Sequence, residues 1–433
     1  MRILKRNLAS PTVILLMAQT LSIIIAVVSA ERAYPLGCSQ QDRTYYDFEN
    51  YPFPPPDFPI KTTDDYMLTR RLGSGKFSDV FEAVDVQLET KLLSPKGGGP
   101  ATTIDPRTLV VLKCLKPVAE RKIKRELLVL SHVSQLPNLA RILGVVIPAS
   151  YNHVDFKYRV QEMPSLVLEH AGCNSQWFCH SKDHFLPEYE IQYFLCHLLV
   201  ALDHLHSKGI MHRDVKPRNV LIDRTNWTLM LIDLGLADFY LPDTKYNVRV
   251  ASRHYKSPEL LLGYELYDYA LDLWGVGCIL AGLLLRREPF FRGKDNLDQL
   301  GTIVAVLGTA DLHLYMKRYK IPMTPEIREI IAKYTLQEGG TKKEWSSFVT
   351  TRPNNNDENN NGNKEQQVPI PMPSKSGLDL LSKLLVYDHQ QRLTAKQAMK
   401  HPFFDPVRDR VEREVKEKMR SNRAKWIIGK EKS

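Results

Sequence analysis

Cysteine is scarce and poorly placed for covalent work. The 433 residues hold six, Cys38, Cys114, Cys173, Cys179, Cys196 and Cys278. Their spacing is irregular, with no zinc or redox pair. That argues against a disulfide framework and leaves them as small apolar residues. No internal repeat is evident. Acid is missing from the first thirty residues. There a basic start, MRILKRN, runs into PTVILLMAQTLSIIIAVVSA, which carries no charge and ends on the small residues Val28-Ser29-Ala30. This pattern predicts a signal peptide cut before Glu31. An uncleaved signal anchor is the alternative, and would be the chain's only route to a membrane. Either way the positive charges stay cytosolic and the rest enters the secretory pathway. The formal charge is +10; Arg2, Lys5 and Arg6 supply three of it, so the remainder carries 10 − 3 = +7. Such a balance suits acidic or phosphate-bearing partners and tunes association rate, not fold. No nucleic-acid partner is read from it.

An apolar content of 43% supports a full core, and the length accommodates a domain of about 300 residues with extensions. The residues after the leader, 31–65, are rich in aromatics and proline and read as an extended strap. Residues 66–168 read as a small lobe with a loop insertion at 87–108, and a second loop covers about 149–164. Residues 169–404 read as a large lobe interrupted by an asparagine-rich stretch, 352–367, expected to be disordered. The tail, 405–433, alternates acids and bases at helical spacing from about 407, predicting a solvated helix with ion pairs. Asn226-Trp227-Thr228 is a glycosylation sequon, relevant if the chain is luminal.

Chemistry concentrates in three places. Tyr66 to Leu72 alternates like a strand, enters the turn Gly73-Ser74-Gly75-Lys76 and leaves through a second strand from Val80 to Val86. Glycines let such a turn lie close over phosphates, where backbone N–H groups reach the oxygens. Next, the apolar strand Leu109 to Leu112 closes on Lys113, and Glu126 follows thirteen residues later in a charged, helix-like segment. A strand lysine paired with a helix glutamate positions the α and β phosphates of a nucleotide. Third, residues 212–219 read HRDVKPRN and residues 232–235 read IDLG. Asp214 can accept a hydroxyl proton, Lys216 can neutralise a transferred phosphoryl group, and Asn219 and Asp233 can hold magnesium. Further on, Ser257-Pro258-Glu259 closes a segment and Arg392 is the expected partner of Glu259. Asp272 is expected to brace the backbone near Asp214; capping a helix is the plainer reading, and the two are compatible.

These motifs, in this order, match a protein kinase. Longer strings resemble something narrower. YNVRVASRHYKSPELLLGYELYDYALDLWGVGCILAGLLLRREPFFRGKDNLDQL (246–300), GIMHRDVKPRNVLID, KPVAERKIKRE, VLGTADL, YDHQQRLTAKQAMKHPFF and RTYYDFEN (43–50) look like the catalytic alpha subunits of casein kinase II. The resemblance spans about 43 to 404. It implies an α+β, bilobal fold: a small antiparallel sheet with one main helix, and a large, mainly helical lobe. It also implies a constitutive serine/threonine kinase of the CMGC group, using ATP or GTP with Mg²⁺ on acid-rich substrates, and a beta-like regulatory subunit as a candidate partner. By position, Leu72, Val80, Val111, Leu221 and Ile232 would wall the purine, and Glu169 and His170 would begin the hinge. Leu168 stands at the back of that pocket. Arg249, Arg253 and Lys256 would meet the acid beside the target hydroxyl. A second basic cluster in the family is reduced here to Arg121 and Lys122, because Ala119 and Glu120 replace two lysines. The family is cytosolic and nuclear, which opposes the leader. A pseudokinase scaffold and another CMGC-group kinase are the alternatives.

Overall fold

The computed structural model describes residues 41–92, 104–148, 163–172, 186–349 and 372–430. The leader, residues 31–40 of the strap, residues 93–103 and 149–162 of the two loops, the asparagine-rich stretch, and Cys38, Cys173 and Cys179 lie outside the described residues.

β-Branched and apolar alternation builds the small lobe. β1 (Ile60–Lys61), β2 (Tyr66–Ser74), β3 (Ser78–Asp85), β4 (Leu109–Leu115), β5 (Ile142–Val146) and β6 (Ser165–Glu169) form one sheet in the order β1-β5-β6-β4-β3-β2. All neighbours run antiparallel except β1 and β5, which are parallel. β1 comes from the strap, so the strap contributes an edge strand as well as contacts. Cross-strand partners share a face. Val80 lies opposite Lys113, and Glu82 and Leu168 flank Val111, which places these side chains on the face towards the large lobe.

The predicted loop at 87–108 is corrected at its start by helix α1 (Val86–Leu92). The glycines of Lys96-Gly97-Gly98-Gly99-Pro100 dominated the reading of that stretch and hid the two helical turns before them. α2 (Glu120–Val133) is the main small-lobe helix; Ile123, Glu126, Leu127 and Leu130 recur at helical spacing on its buried side.

The large lobe is built on α3 (Glu188–Ser207) and α5 (Ala270–Leu284). α5 is buried over nearly its whole surface, as expected of a helix apolar all round. Gly275 lets it approach the chain carrying Asp214: a Cβ there would stand 2.7 Å from the Val215 carbonyl oxygen. Around this core lie β7 (Ile210–Met211) paired with β10 (Asp238–Phe239), and the hairpin of β8 (Val220–Asp223) and β9 (Thr228–Leu231). The short α4 (Pro258–Leu261) precedes α5. Then follow α6 (Asn296–Leu307), α7 (Ala310–Arg318), α8 (Pro325–Glu338), α9 (Lys375–Leu384), α10 (Ala395–Met399) and α11 (Arg408–Lys430). The bilobal α+β architecture predicted from the resemblance is present.

The solvated tail helix is corrected on one face. Val407 and Val411 are buried, and Arg410 lies 4.4 and 4.5 Å from the ring centroids of Tyr193 and Trp227. Tyr193 donates to Glu414 at 2.5 Å, and Asn422 donates to the Gln135 carbonyl beyond α2 at 3.0 Å. α11 therefore spans from the large lobe to the small. Asn226 is exposed in the β8–β9 turn, its amide donating to Asp223 at 2.7 Å.

Candidate active site

The sequence-distant residues singled out above meet at the mouth between the lobes. Lys113 Nζ donates to Glu126 Oε1 and to Asp233 Oδ1, each at 2.7 Å. Burial opposes the charge on Lys113, but the two carboxylates outweigh it and hold its pKa above the usual lysine value. Burial likewise opposes ionisation of Asp233, yet Lys113 prevails and its pKa falls to about 2. Gly235 completes the fit, since a Cβ there would lie 3.2–3.3 Å from Lys113 Nζ, Asp233 Oδ1 and Glu126 Oε2.

Asp214 is buried and sits in a second cluster. Lys216 Nζ donates to its Oδ2 at 2.5 Å and to Ser252 Oγ at 2.8 Å; Ser252 Oγ in turn donates to Asp214 Oδ1 at 3.0 Å. A hydroxyl is thus already held beside the carboxylate proposed as proton acceptor. Ser252 is a site residue that the motifs do not single out; its placement five residues before Ser257-Pro258-Glu259 is the signal that points to it. Asn219 donates its amide to the Asp214 carbonyl at 2.9 Å and to Asp214 Oδ2 at 3.2 Å. That leaves its amide oxygen available, and Asp233, partly exposed, keeps one oxygen clear of Lys113. Two oxygen donors beside a phosphate site fit magnesium, which takes few protein ligands and keeps water and phosphate in the remainder. Among the described residues no group of three or more His, Cys, Asp or Glu could hold a metal.

Asp272 fixes this loop. Its carboxylate accepts the His212 and Arg213 backbone N–H groups at 2.8 Å each and His206 at 2.9 Å. Burial alone would raise its pKa; the His206 hydrogen bond and charge outweigh that and lower it. It lies inside the first turn of α5, whose N-cap is Tyr269, so the helix-cap reading is set aside. Arg213, Asp233 and Ala251 all have φ near +60°, a strained arrangement that the surrounding contacts hold in place. Arg392 and Glu259 form the expected pair, bidentate at 2.7 Å and fully buried.

The nucleotide-side residues frame an opening. Val80 and Val111 share a sheet face with Lys113, while Leu221 lies on β8 and Ile232, just before Asp233, donates its N–H to the Asn219 carbonyl at 2.8 Å. Leu72, Ser74, Gly75 and Lys76 are exposed at the hairpin tip. Neither Gly73 nor Gly75 has positive φ, and no neighbour blocks a Cβ at either closer than 3.7 Å. The fold does not itself require these glycines, so close approach of a ligand is the better explanation. At the hinge, Glu169 donates its N–H to the Arg141 carbonyl at 2.8 Å. His170 faces inward: the Gly172 N–H donates to its Nδ1 at 3.1 Å, so Nε2 carries the proton shared with Glu82 at 3.0 Å. Glu82 also takes Arg70 at 2.8–2.9 Å, and that bond lowers its pKa to about 2. The sequence offered no signal for this latch.

The substrate-side residues do not all meet one fate. Arg249 and Arg253 are exposed. Lys256 is buried, its ammonium donating to the Val250 carbonyl, and burial lowers its pKa. Lys122 lies 4.9 Å from the Phe77 ring centroid, across the small lobe.

Two further groups of contacts steady the arrangement. Arg213 pairs with Asp238 at 2.8 Å and donates to the Leu236 carbonyl at 2.7 Å; Arg125 of α2 shares Asp238 at 3.0 Å. In the strap, Tyr45 stacks on His132 of α2 at 3.9 Å and edges Phe239 at 6.1 Å. Residues 100–404 match the model of the protein kinase domain. The glycine hairpin lies just upstream of the matched span, and its place rests on geometry. With the ion pair, the Asp214 cluster and the two-lobed frame already assembled from the chain itself, that match over most of its length makes this protein a member of the protein kinase family.

Proposed function

We propose that the chain is a serine/threonine kinase of the casein kinase II alpha type, acting on acidic substrates without prior activation. The observation that carries this is the Asp214–Lys216–Ser252 triangle beside Asn219. Asp214 accepts the proton of the substrate hydroxyl as its oxygen attacks. Lys216, already within reach of both Asp214 and Ser252, balances charge on the group in transfer. ATP with Mg²⁺, as protein kinases generally use, supplies the phosphoryl group, and GTP is a second candidate donor. Asn219 and Asp233 would hold the ion, and Lys113, kept in place by Glu126, would orient the phosphates.

Constitutive activity is supported by how Arg213 is satisfied. Its guanidinium takes Asp238, the Leu236 carbonyl and the Tyr267 hydroxyl, so no added phosphate is needed to compensate its buried charge. The Tyr45 wedge between α2 and Phe239 supports the same reading. Acid preference is supported by Arg249 and Arg253, whose side chains have no acidic partner among the described residues. Residues 1–30 direct the chain to the secretory pathway in this proposal, and a beta-like subunit remains a candidate partner.

The test uses purified, unphosphorylated protein with ATP and Mg²⁺ on acidic peptides carrying Ser, Thr or Tyr. Turnover on Ser and Thr is expected. Asp214→Asn and Asp233→Ala should each lower kcat by about a thousandfold or more, roughly 4 kcal/mol. No turnover, or an Asp233→Ala variant that still works, refutes the proposal. Sequencing the N-terminus of protein from its own cells tests the leader; an intact residue 1 in soluble cytosol defeats it.

A further inference from the structure

The second acid-reading cluster that the family resemblance places at the start of α2 is tied down in this chain. Arg121 pairs with Glu49 of the strap at 3.2 Å, Lys124 with Glu120 at 3.1 Å, and Arg125 with Asp238 at 3.0 Å. Lys122 alone has no acidic partner among the described residues, and it covers the Phe77 ring. Three of the four cations are therefore spoken for by the chain's own acids.

Free positive charge stands elsewhere. Ser252 marks the place of the target hydroxyl, and Arg253 follows it directly. The Arg253 guanidinium donates to the Lys294 carbonyl, joining the segment after Asp233 to the loop Phe291-Arg292-Gly293-Lys294. Gln299 of α6, fully buried, fixes that junction. Its Oε1 accepts the Gly293 N–H at 2.8 Å, and its Nε2 donates to the His254 carbonyl at 3.3 Å. Gly293 is needed here, since a Cβ would fall 2.4 Å from the Gln299 backbone. Arg292 and Lys294 project from this rigid corner, exposed and without an acidic side-chain partner among the described residues. The nearby acids are engaged: Asp298 accepts the Lys294 N–H at 2.8 Å, Asp295 caps α6, and Glu288 takes the Tyr255 hydroxyl.

We propose that Arg292 and Lys294, on the corner that Arg253 joins to the segment after Asp233, form the second anion-reading subsite of this kinase, in place of the start of α2. Its ligand is an anionic side chain of the substrate, a few residues from the target hydroxyl. The chemistry is shared by a carboxylate and by a phosphorylated serine. The inference rests on the proposed kinase activity towards acidic substrates.

The experiment walks one Asp from −4 to +4 around a target serine, and repeats the set with phosphoserine. The full chain is compared with Arg292→Ala, Lys294→Ala, the double variant, and Arg121→Ala/Lys122→Ala. An exposed charge contact carries about two- to fivefold in kcat/KM, less at high salt. The double variant should lose roughly five- to twentyfold at one or two registers and little elsewhere, while the α2 variant changes no register selectively. Greater loss with phosphoserine assigns a phosphorylated neighbour as the preferred anion; equal or smaller loss assigns the carboxylate. A uniform loss at every register, no loss, or a register-specific loss confined to the α2 variant overturns the proposal. If the wild type phosphorylates no peptide of either set, the kinase reading itself fails, and that outcome is distinct.

Discussion

Asp272→Asn is a sharp test of how the catalytic loop is held. The carboxylate accepts three hydrogen bonds, from His212 N–H, Arg213 N–H and His206 Nε2, at full burial. Asparagine keeps one acceptor oxygen and turns an NH₂ towards a donor. One charge-assisted bond is lost, worth about 1.5–3 kcal/mol, and one buried N–H is left unsatisfied, at about 1–3 kcal/mol. The sum is roughly 2.5–6 kcal/mol of stability, readable as a lower midpoint in urea. The freed backbone carries Asp214 two residues on, and a displacement near 1 Å suffices to lower kcat about a hundredfold. Lys113 and the hinge lie outside this network, so affinity for a non-hydrolysable ATP analogue should change less than threefold. A stability loss below about 1 kcal/mol, or analogue affinity that falls in step with kcat, refutes the assigned role.

Three other outcomes follow from the same contacts. Glu259→Gln strands a fully buried Arg392 and should cost about 3–5 kcal/mol in a denaturation curve, whereas a change under 1 kcal/mol would show the pair to be dispensable. His197 is buried against Lys418 and Glu414, and burial first of all depresses its pKa to about 4. The folded value lies below the unfolded one near 6.5, so this histidine's contribution is complete above that value and fades as pH falls towards 4. Wild type should lose about 2 kcal/mol between pH 7.5 and 5 that His197→Gln does not lose, measured by urea melts; parallel curves would exclude it. His170→Ala should raise KM for ATP severalfold with kcat held, with partial rescue in His170→Gln, whose amide can still donate to Glu82; a fall in kcat alone would place His170 in another role.

The polar residues of the site were legible because their chemistry fixes their spacing. Asp214, Lys216, Asn219 and Asp233 sit in short motifs, and Lys113 and Glu126 at the ends of a clear strand and within a clear helix. What stayed hidden was set by tertiary approach. The inner face of α11 escaped because alternating charges masked Val407, Val411 and Val415, a stripe at every fourth residue. α1 escaped because the glycines after it outweighed two turns of ordinary helix formers. Lys256 read as a surface cation because nothing local shows that the Val250 carbonyl will cover it. The Glu82–His170 latch joins residues 88 apart and leaves no mark in either neighbourhood.

Lys113 already holds two carboxylates, each at 2.7 Å. A nucleotide therefore meets a lysine whose charge is committed, and entry is an exchange of anions, phosphate for the Asp233 carboxylate. The displaced carboxylate would then add Oδ1 to the oxygen already clear of Lys113, so that both could face a cation. Metal and nucleotide would then load as one thermodynamic unit, each raising the affinity for the other, and removing the lysine should weaken their mutual dependence as well as the grip on either alone.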